Sequence, residues 1–578
     1  MLKEYRTLLP YMKRYRWGYV AGIFMLLVTS GGQLLVPQFI RVSVDIIASG
    51  DIDLRELAIL MGGLVGVAIV IGIARFGWRY FIHGASRRIE KELRDTLFNH
   101  LLTLSSSFYG RNRIGDLMAR ATNDMNAIRM ASGMALVALT DGIMMTIAIL
   151  IILFIQNPGL ALIVIIPMPF ITFLVLGLGK LIGARFRDVQ EGFSVLSHQS
   201  QEALSGVRVI KSFVKNTYFL GRFRRVNDDY QDRNMRLVRI WGMFFPMVTF
   251  LSGITSLLLL RFGGESVVLE EISAGDFVAT LSYLEMMIWP MLGMGFTVNL
   301  IQRGGASLAR VNQILSEEPD IQSPENGVRP EISGHISVRD LTYTYPDGEK
   351  PALEHVSFDV PAGGILGILG RTGSGKSTLL KLFPRLLDPP RGTIFLDGFD
   401  VHDYDLQWLR SRFAIVAQDT FLFSQSVKDN IGFGMDKFDE ERIHHVAEVS
   451  TIDRDIETFP LGWDTQVGER GITLSGGQKQ RVSISRALAT GREILVFDDA
   501  LSAVDTETEE RILNQLLEER GGKTSIVISH RVSTLKNADR IIVLERGRVI
   551  QQGTHEQLIA DENGFYAEIA ALQRLEEE

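Results

Sequence analysis

The 578-residue sequence predicts a multidomain membrane protein, in which an all-α membrane domain of six helices precedes an α/β domain. Three observations predict this order. Long apolar stretches are confined to the first half, an acidic stretch with several prolines follows them, and short apolar runs then alternate with helical patterns. The whole-chain averages conceal the division, because 46% hydrophobic and 22% charged residues would also suit a soluble protein.

Composition excludes several classes of site. The chain has no cysteine, so a disulfide framework, a thiolate zinc site, an iron–sulfur cluster and a cysteine nucleophile are all excluded. Its net charge is −7, which provides no whole-chain reason to expect a nucleic-acid partner.

Six apolar stretches in residues 1–315 are each about 20 residues or longer, enough to cross roughly 30 Å of hydrocarbon. Buried helices of a soluble core would explain one such stretch but not six. Pro167 and Pro169 predict a kink in the fourth stretch, and Gly62-xxx-Gly66 predicts close helix contact in the second. The predicted membrane spans are residues 17–40, 57–82, 130–156, 158–180, 241–262 and 277–301.

Flanking charges predict the orientation of these spans. Basic residues dominate before the first span, whereas the loop after it is mainly acidic. The positive-inside rule therefore places the N-terminus in the cytoplasm. Strict alternation then places two long charged segments, 83–129 and 181–240, on the same side, together with the C-terminal domain and the C-terminus. Both segments keep a helical pattern, so we expect the membrane helices to extend into the cytoplasm.

A linker separates the two halves. Residues 316–335 are acidic and contain Pro319, Pro324 and Pro330. The α/β domain is then expected over residues 336–578.

A glycine-rich sequence after a β-like run predicts a phosphate-binding loop. Its glycines let backbone N–H groups converge, and the helix that begins near Thr378 adds partial positive charge. Lys376 would reach the outer phosphates, while the Ser377 hydroxyl would bind Mg²⁺ together with Asp498, which ends a buried apolar run. Nucleotide hydrolysis or nucleotide-driven switching is therefore predicted. The loop reads Gly370, Arg371, Thr372, Gly373, Ser374, Gly375, Lys376, Ser377.

A further motif, Leu474-Ser475-Gly476-Gly477-Gln478, resembles the signature of ATP-binding cassette (ABC) proteins. The chain as a whole resembles a half-transporter of the ABC exporters, with a type I exporter-like membrane domain fused to one nucleotide-binding domain. The resemblance implies ATP and Mg²⁺ as cofactors, a bilayer, a hydrophobic substrate and the bacterial cytoplasmic membrane. It also implies individual roles: adenine stacking by Tyr345, Mg²⁺ and membrane-domain contact by Gln418, the D-loop at Asp505, and γ-phosphate contact by the switch residue His530.

The same resemblance implies a dimer, because the signature of one domain closes on nucleotide bound by the other. Residues 108–124 and 202–213 resemble the two intracellular loops of the family, whose short coupling helices dock on the nucleotide-binding domains.

Asp499 departs from the family pattern, which has Glu after the Mg²⁺-binding Asp. The shorter side chain withdraws the carboxylate by about one C–C bond, ~1.5 Å. We therefore expect a degenerate ATP site in this chain and a heterodimer with a different subunit that keeps its Glu. A homodimer that tolerates Asp499 is the alternative.

Substrate residues are suggested by polar and adaptable side chains within the spans. Glu285 is an acid in a predicted span, near Met287 and Met291, and Asp141 is a weaker candidate of the same kind. A cavity for amphipathic cationic drugs or for lipids is one interpretation, and a structural hydrogen bond with lipid-facing methionines is the other. The resemblance implies ATP-driven export of hydrophobic or amphipathic small molecules, of the multidrug type, as the function of the chain. Lipid translocation and a non-pumping ATP-gated membrane protein are the alternative functions.

Overall fold

The computed structural model describes residues 3–50, 54–346, 348–504 and 506–577. The chain divides into two compact units. The first, here called the membrane unit, comprises Met1–Thr103 and Asn112–Glu317; the second, the ATPase unit, comprises Leu104–Arg111 and Glu318–Glu578.

The membrane unit is helical throughout its regular described structure. Short π-helical segments at Arg79–His83, Arg120–Asp124 and Leu259–Gly263 interrupt its long helices. The helices are α1 (Leu9–Arg14), α2 (Arg16–Ala48), α3 (Leu54–Trp78), α4 (Gly84–Thr103), α5 (Ser106–Arg111, in the ATPase unit), α6 (Ile114–Ala119), α7 (Met125–Ser132), α8 (Met134–Gln156), α9 (Pro158–Ile165), α10 (Pro167–Ser205), α11 (Val207–Ser212), α12 (Asn216–Leu258), α13 (Gly264–Val268) and α14 (Ala274–Leu315).

Five helices in the described part of the chain are long and apolar enough to cross a membrane. The predicted fourth span, 158–180, is not among them, so the count of six is not confirmed. This stretch is divided between α9 and α10, which meet at Ile166 where Pro167 begins the new helix. Some side chains of α10 also lie outside the described set. The five are Arg16–Ala48, Leu54–Thr103, Ile114–Gln156, Asn216–Val268 and Ala274–Leu315.

Glycines let α2 and α3 approach closely, but not at the predicted positions. A Cβ added at Gly62 or Gly66 would meet no described atom within 4 Å, so these two glycines make no close helix contact within the described chain. A Cβ at Gly63 would instead lie 2.7 Å from Phe39, and one at Gly32 would lie 2.7 Å from Ile71. The glycine spacing therefore identified the helix that packs closely, α3, but not the face of that helix that contacts α2.

The ATPase unit contains two sheets. A four-stranded antiparallel sheet has the order β2-β1-β4-β5, and a six-stranded sheet has the order β10-β9-β3-β8-β7-β6. The strands are β1 (Ile336–Tyr343), β2 (Leu353–Val360), β3 (Ile365–Gly370), β4 (Ile394–Leu396), β5 (Phe399–Asp400), β6 (Phe413–Val416), β7 (Ile494–Asp498), β8 (Thr524–Ile528), β9 (Arg540–Glu545) and β10 (Arg548–Gly553). The helices are α15 (Lys376–Leu382), α16 (Leu406–Ser411), α17 (Val427–Gly432), α18 (Glu440–Val449), α19 (Asp453–Thr458), α20 (Gly476–Ala489), α21 (Thr506–Glu519), α22 (Val532–Leu535), α23 (His555–Ala560) and α24 (Phe565–Glu577).

The parallel part of the larger sheet positions the site. Strands β3, β8 and β7 are parallel neighbours and are buried along nearly their whole length, as their apolar runs predict. Their carboxyl ends therefore lie at one edge, where ligands of open α/β sheets bind. Residues that follow these three strands are brought together there.

The segment Leu104–Arg111 packs with the ATPase unit although it lies between membrane helices in sequence. Phe108 is buried, and the Ser106 hydroxyl donates to the carbonyl of Leu386. Arg111 is 3.6 Å from Asp320. This short helix, α5, lies in the region that resembles the first coupling loop.

His402 connects the four-stranded sheet to the loop that contains Leu386, whose carbonyl accepts the hydrogen bond from Ser106. Its Nδ1 lies 2.6 Å from Asp400, its Nε2 lies 3.5 Å from Asp388, and Arg385 donates to the same Asp388 at 2.8 Å. The bond to Asp388, supported by the one to Asp400, holds the pKa of His402 above its ordinary value.

The His402→Gln variant is expected to lower the unfolding temperature of the ATPase domain more at pH 6 than at pH 9. A histidine whose pKa is raised by folding stabilises the fold below its unfolded pKa of about 6.5 and loses that effect as pH rises through its folded pKa. Calorimetry of the intact chain measures this. His355→Gln, at an exposed pair with Asp340, is the control. An equal loss at both pH values would contradict the linkage.

Candidate nucleotide site

A cleft of about 860 Å³ lies at the carboxyl edge of β3, β7 and β8. It brings together most of the predicted nucleotide-binding residues of the ATPase unit. Its lining consists of Tyr345, Ala352, residues 370–378, Gln418, Asp498, Asp499, Ile528 and His530.

The loop between β3 and α15 forms a phosphate cradle. Gly373 and Gly375 have φ values of +81° and +105°, which side chains rarely adopt, and a Cβ at Gly375 would lie 2.7 Å from the Ala352 carbonyl. The Lys376 ammonium donates to the carbonyls of Gly370 and Arg371 at 2.6 and 2.9 Å, curling the loop around it. Burial lowers the pKa of Lys376. An anion beside this ammonium would favour its charged form.

Ser374 tests whether the loop fits a phosphate group. Its hydroxyl oxygen is buried and, among the described residues, has no hydrogen-bond partner. A buried polar group without a partner is unfavourable, so the loop suits a ligand that carries hydrogen-bonding oxygens. The cradle therefore fits a nucleotide phosphate.

Ser377 and Asp498 present oxygen atoms side by side. The Ser377 hydroxyl donates to Asp498 at 2.9 Å, and Gln418 lines the same cleft. Burial raises the pKa of Asp498, which a nearby cation would counteract. Hydroxyl, carboxylate and amide oxygens are the donors that Mg²⁺ accepts alongside phosphates, so the residues fit this ion.

Asp499 and His530 both line the cleft and contact each other directly. The Asp499 carboxylate lies 2.9 Å from Nδ1 of His530, and this bond raises the pKa of the imidazole. Asp499 has a φ of +50°, a left-handed conformation that Asp tolerates better than most residues. The carboxylate that follows Asp498 in sequence thus lies against His530.

Tyr345 closes one side of the cleft. Its hydroxyl lies 3.0 Å from that of Thr378, and its ring makes an edge contact with Tyr343 at 5.4 Å between centroids. The ring is partly exposed and available for stacking.

The signature segment lies at the start of α20. Ser475 caps this helix, accepting from the Gln478 N–H at 3.3 Å while its own N–H donates to the Gln478 side chain at 2.9 Å. Ser475 and Gly476 are exposed, and the described lining of the cleft contains no signature residue. Asp505, predicted in the D-loop, lies outside the described residues. The signature is thus presented outward.

Comparison with known proteins identifies the family. The family model for the ABC transporter transmembrane region matches residues 19–291, and a second family model, described as ABC transporter, matches residues 353–502. The multidrug resistance-like ATP-binding protein MdlA of Escherichia coli is 37% identical over 98% of this chain and 96% of its own length. The chain is an ABC transporter.

Other relatives of this ABC transporter differ in the cargo that their names state. A probable multidrug resistance ABC transporter ATP-binding/permease protein of Bacillus subtilis is 36% identical, over 98% of this chain and 97% of its own length. An ATP-dependent lipid A-core flippase of Vibrio vulnificus is 30% identical, over 99% and 98%. The structure of a bacterial Atm1-family ABC exporter with ATP bound has the same fold, with a TM-score of 0.79, 24% identity and coverage of 96% and 98%.

Two glutamines of this ABC transporter brace the site without having been predicted. The Gln573 side chain, from α24, donates to the His530 carbonyl at 2.6 Å and accepts from the Val532 N–H at 2.8 Å. The Gln480 side chain donates to Ser502 at 3.1 Å and so joins α20 to the segment that follows β7. Neither glutamine belongs to a phosphate-binding pattern, so only the fold reveals these roles.

The predicted substrate residues of the transporter lie in different surroundings. Asp141 accepts a hydrogen bond of 2.6 Å from Ser30, which joins α8 to α2. Met287 is buried in the apolar core of the membrane unit, whereas Glu285 is exposed on the same helix. The side chain of Met291 lies outside the described set. The described residues therefore place Glu285 and Met287 on different faces of α14.

Proposed function

We propose that this transporter exports hydrophobic or amphipathic small molecules across the bacterial cytoplasmic membrane, as one half of a dimer driven by ATP. The observation that carries the proposal is the exposed signature, which lies apart from a cleft that is otherwise equipped for nucleotide. Six crossings would place both termini and the ATPase domain in the cytoplasm, because an even number returns the chain to the side on which it began.

A second ATPase domain would provide the nucleotide that the exposed signature segment of this chain contacts. Ser475 and the start of α20 offer a hydroxyl and helix N–H groups, a pairing suited to the γ-phosphate of nucleotide in another subunit. The second intracellular loop also presents apolar side chains to solvent, since Val209 is 61% and Phe213 is 70% exposed beside Lys211 and Lys215. Such a patch, rimmed by charge, is typical of a protein interface. A partner subunit would cover both.

The residues of the cleft divide the work of hydrolysis. Lys376 and the loop N–H groups bind the phosphates, while His530 stabilises charge at the γ-phosphate. Ser377, Gln418 and Asp498 would hold Mg²⁺, which supplies charge neutralisation between the outer phosphates. Asp499 would orient the attacking water, with a carboxylate one methylene shorter than the family pattern. Domain closure on ATP and reopening after hydrolysis would then alternate the access of the membrane unit.

Asp499 favours a heterodimer. All the other described motif residues of the cleft match the family pattern, and only this carboxylate is one methylene short. Displacement by about 1 Å costs roughly 100-fold in rate when a reacting group must be positioned. The chain's own site would therefore bind ATP and turn it over slowly, while its intact signature completes the competent site of a different subunit. A homodimer with a tolerated Asp499 is the alternative arrangement.

The names of two relatives support multidrug-type cargo, and exposed Glu285 offers a negative charge for cationic amphiphiles. In proteoliposomes containing the Asp499→Glu chain, we expect Mg-ATP-dependent movement of a cationic dye, abolished by Lys376→Ala. The Glu285→Gln variant is expected to reduce transport of cationic dyes several-fold and to spare a neutral dye. Unchanged cationic transport would contradict the role of Glu285, and no ATP-dependent transport at all would contradict export.

Lipid translocation is a second candidate, because one relative is named a lipid A-core flippase. The same proteoliposomes, loaded with a fluorescent phospholipid, distinguish the two functions. ATP-dependent loss of dithionite-accessible label without dye movement would replace drug export by lipid translocation. Full exporter rates from the wild-type chain alone would contradict the heterodimer and favour the homodimer.

A further inference from the structure

A basic and aromatic cleft lies between the start of α2 and the junction of α3 with α4. It has a volume of about 430 Å³. Close packing forms it, since a Cβ at Gly18 would lie 3.7 Å from both Ala85 and the Phe81 carbonyl. Its lining consists of Arg14, Tyr15, Trp17, Gly18, Tyr80, Phe81, Gly84, Ala85 and Arg88.

Both walls of the cleft change from charged to apolar sequence at the same level. On one wall, Arg14 and Arg16 precede the apolar part of α2. On the other, the apolar α3 has Arg75 in its last turn and ends at Trp78, and Arg79, Arg87 and Arg88 follow. Since the helices hold these two transitions side by side, the cleft lies at a boundary between hydrocarbon and water.

Aromatic side chains face outward at this level. Trp17 is 71% exposed and Tyr80 is 62% exposed, although both are large and partly apolar. Tryptophan and tyrosine are enriched at the headgroup level of membranes, where one end of the ring is apolar and the other is hydrated. The cleft therefore opens toward lipid rather than toward bulk water alone.

The charges of the cleft leave one guanidinium available. Arg14 lies 3.0 Å from Glu92, which also accepts from the Tyr15 hydroxyl at 2.5 Å, so Arg14 is already paired. Arg88 is exposed and lies over the Tyr15 ring at 5.9 Å, and within the described part of the chain it makes no ion pair. Its neighbour Arg87, by contrast, lies 3.6 Å from Glu90.

We propose that this cleft binds the headgroup of an anionic phospholipid from the surrounding bilayer. The lipid phosphate would lie at Arg88, with Arg14 nearby, and the glycerol and upper acyl chains would lie against Trp17 and Tyr80. Guanidinium groups suit phosphate because their donors match its oxygens. Basic pockets at the ends of membrane helices bind lipid headgroups on the same principle. The site is built from the end of α1, the start of α2, the π-helical segment Arg79–His83 and the start of α4. It includes none of the proposed substrate residues on α8 and α14.

Native mass spectrometry of the purified full chain, with phosphatidylglycerol and phosphatidylcholine added equally, tests the proposal. We expect selective retention of phosphatidylglycerol and a loss of roughly tenfold in its affinity in Arg88→Ala, as expected for one charged contact. Arg88→Lys is expected to restore most of the binding. The matched control, Arg87→Ala, removes the neighbouring arginine that is paired with Glu90 and is expected to bind like the wild type.

Three outcomes would overturn the proposal. Equal retention by Arg88→Ala and the wild type would remove Arg88 from the site, and equal retention of the two lipids would exclude recognition of the anionic headgroup. Displacement of phosphatidylglycerol by millimolar inorganic phosphate would identify a soluble anion as the ligand. The unfolding temperature of Arg88→Ala, measured in detergent without added lipid, establishes whether this variant folds. If Arg88→Ala does not fold, Arg88→Gln is used in its place in the same binding assay.

Discussion

Replacing Asp499 with Glu is expected to raise ATP hydrolysis at the site built on Lys376 by about tenfold or more. The added methylene extends the carboxylate by ~1.5 Å toward the nucleotide side of the cleft, and an error of about 1 Å costs roughly 100-fold in rate. In the wild type the carboxylate is instead held 2.9 Å from His530. Phosphate release by the purified chain in lipid nanodiscs measures the effect.

Two variants calibrate this experiment. Asp499→Asn keeps the length of the side chain but removes its charge, and Lys376→Ala defines the rate without a working phosphate site. Because the backbone at Asp499 has a φ of +50°, Glu is expected to cost slightly more than Asp in stability, without loss of the fold. If Asp499→Glu changes the rate by less than twofold while Asp499→Asn abolishes it, Asp499 is a competent base and the homodimer is favoured.

Most residues that line the cleft could be identified from sequence because they belong to local patterns. A phosphate cradle needs glycines and Lys376 at fixed spacing, and Asp498 is recognisable at the end of an apolar strand. The parallel order of β3, β8 and β7 then brings these separate patterns to one edge. Each motif spans only a few residues, so its chemistry can be inferred from sequence alone. Only the position at which the motifs come together depends on the fold.

Features that depend on pairing between distant segments could not be predicted in this way. Gln573 reaches His530 from the C-terminal helix, and Ser30 reaches Asp141 from another membrane helix. Neither partner carries a local signal, because many side chains can make a single hydrogen bond. The packed face of α3 could not be predicted for a related reason. Gly62 and Gly63 are neighbours in sequence, but of these two only Gly63 packs against Phe39. The packing partner, not the glycine spacing, decides which face is buried.

Mixing two inactive chains is expected to restore activity. In the Asp499→Glu background, Lys376→Ala removes the phosphate contact of a chain's own cleft, whereas Ser475→Arg blocks the signature that it offers to the other chain. Each variant alone is expected to fall to background, since every site in its homodimer is damaged. A mixed dimer instead contains one intact site, formed by Lys376 of one chain and Ser475 of the other.

Random pairing of equal amounts leaves about a quarter of the sites intact, because half of the dimers are mixed and each has one good site. Phosphate release after co-expression of the two variants is therefore expected to approach, at most, about a quarter of the unmutated rate in that background. Separately purified variants, combined after reconstitution into different nanodiscs, control for activity of either chain alone. Activity in the Ser475→Arg homodimer, or no recovery in a mixed dimer verified by two affinity tags, would contradict head-to-tail pairing. Recovery would establish that the exposed start of α20 acts on nucleotide held by another subunit.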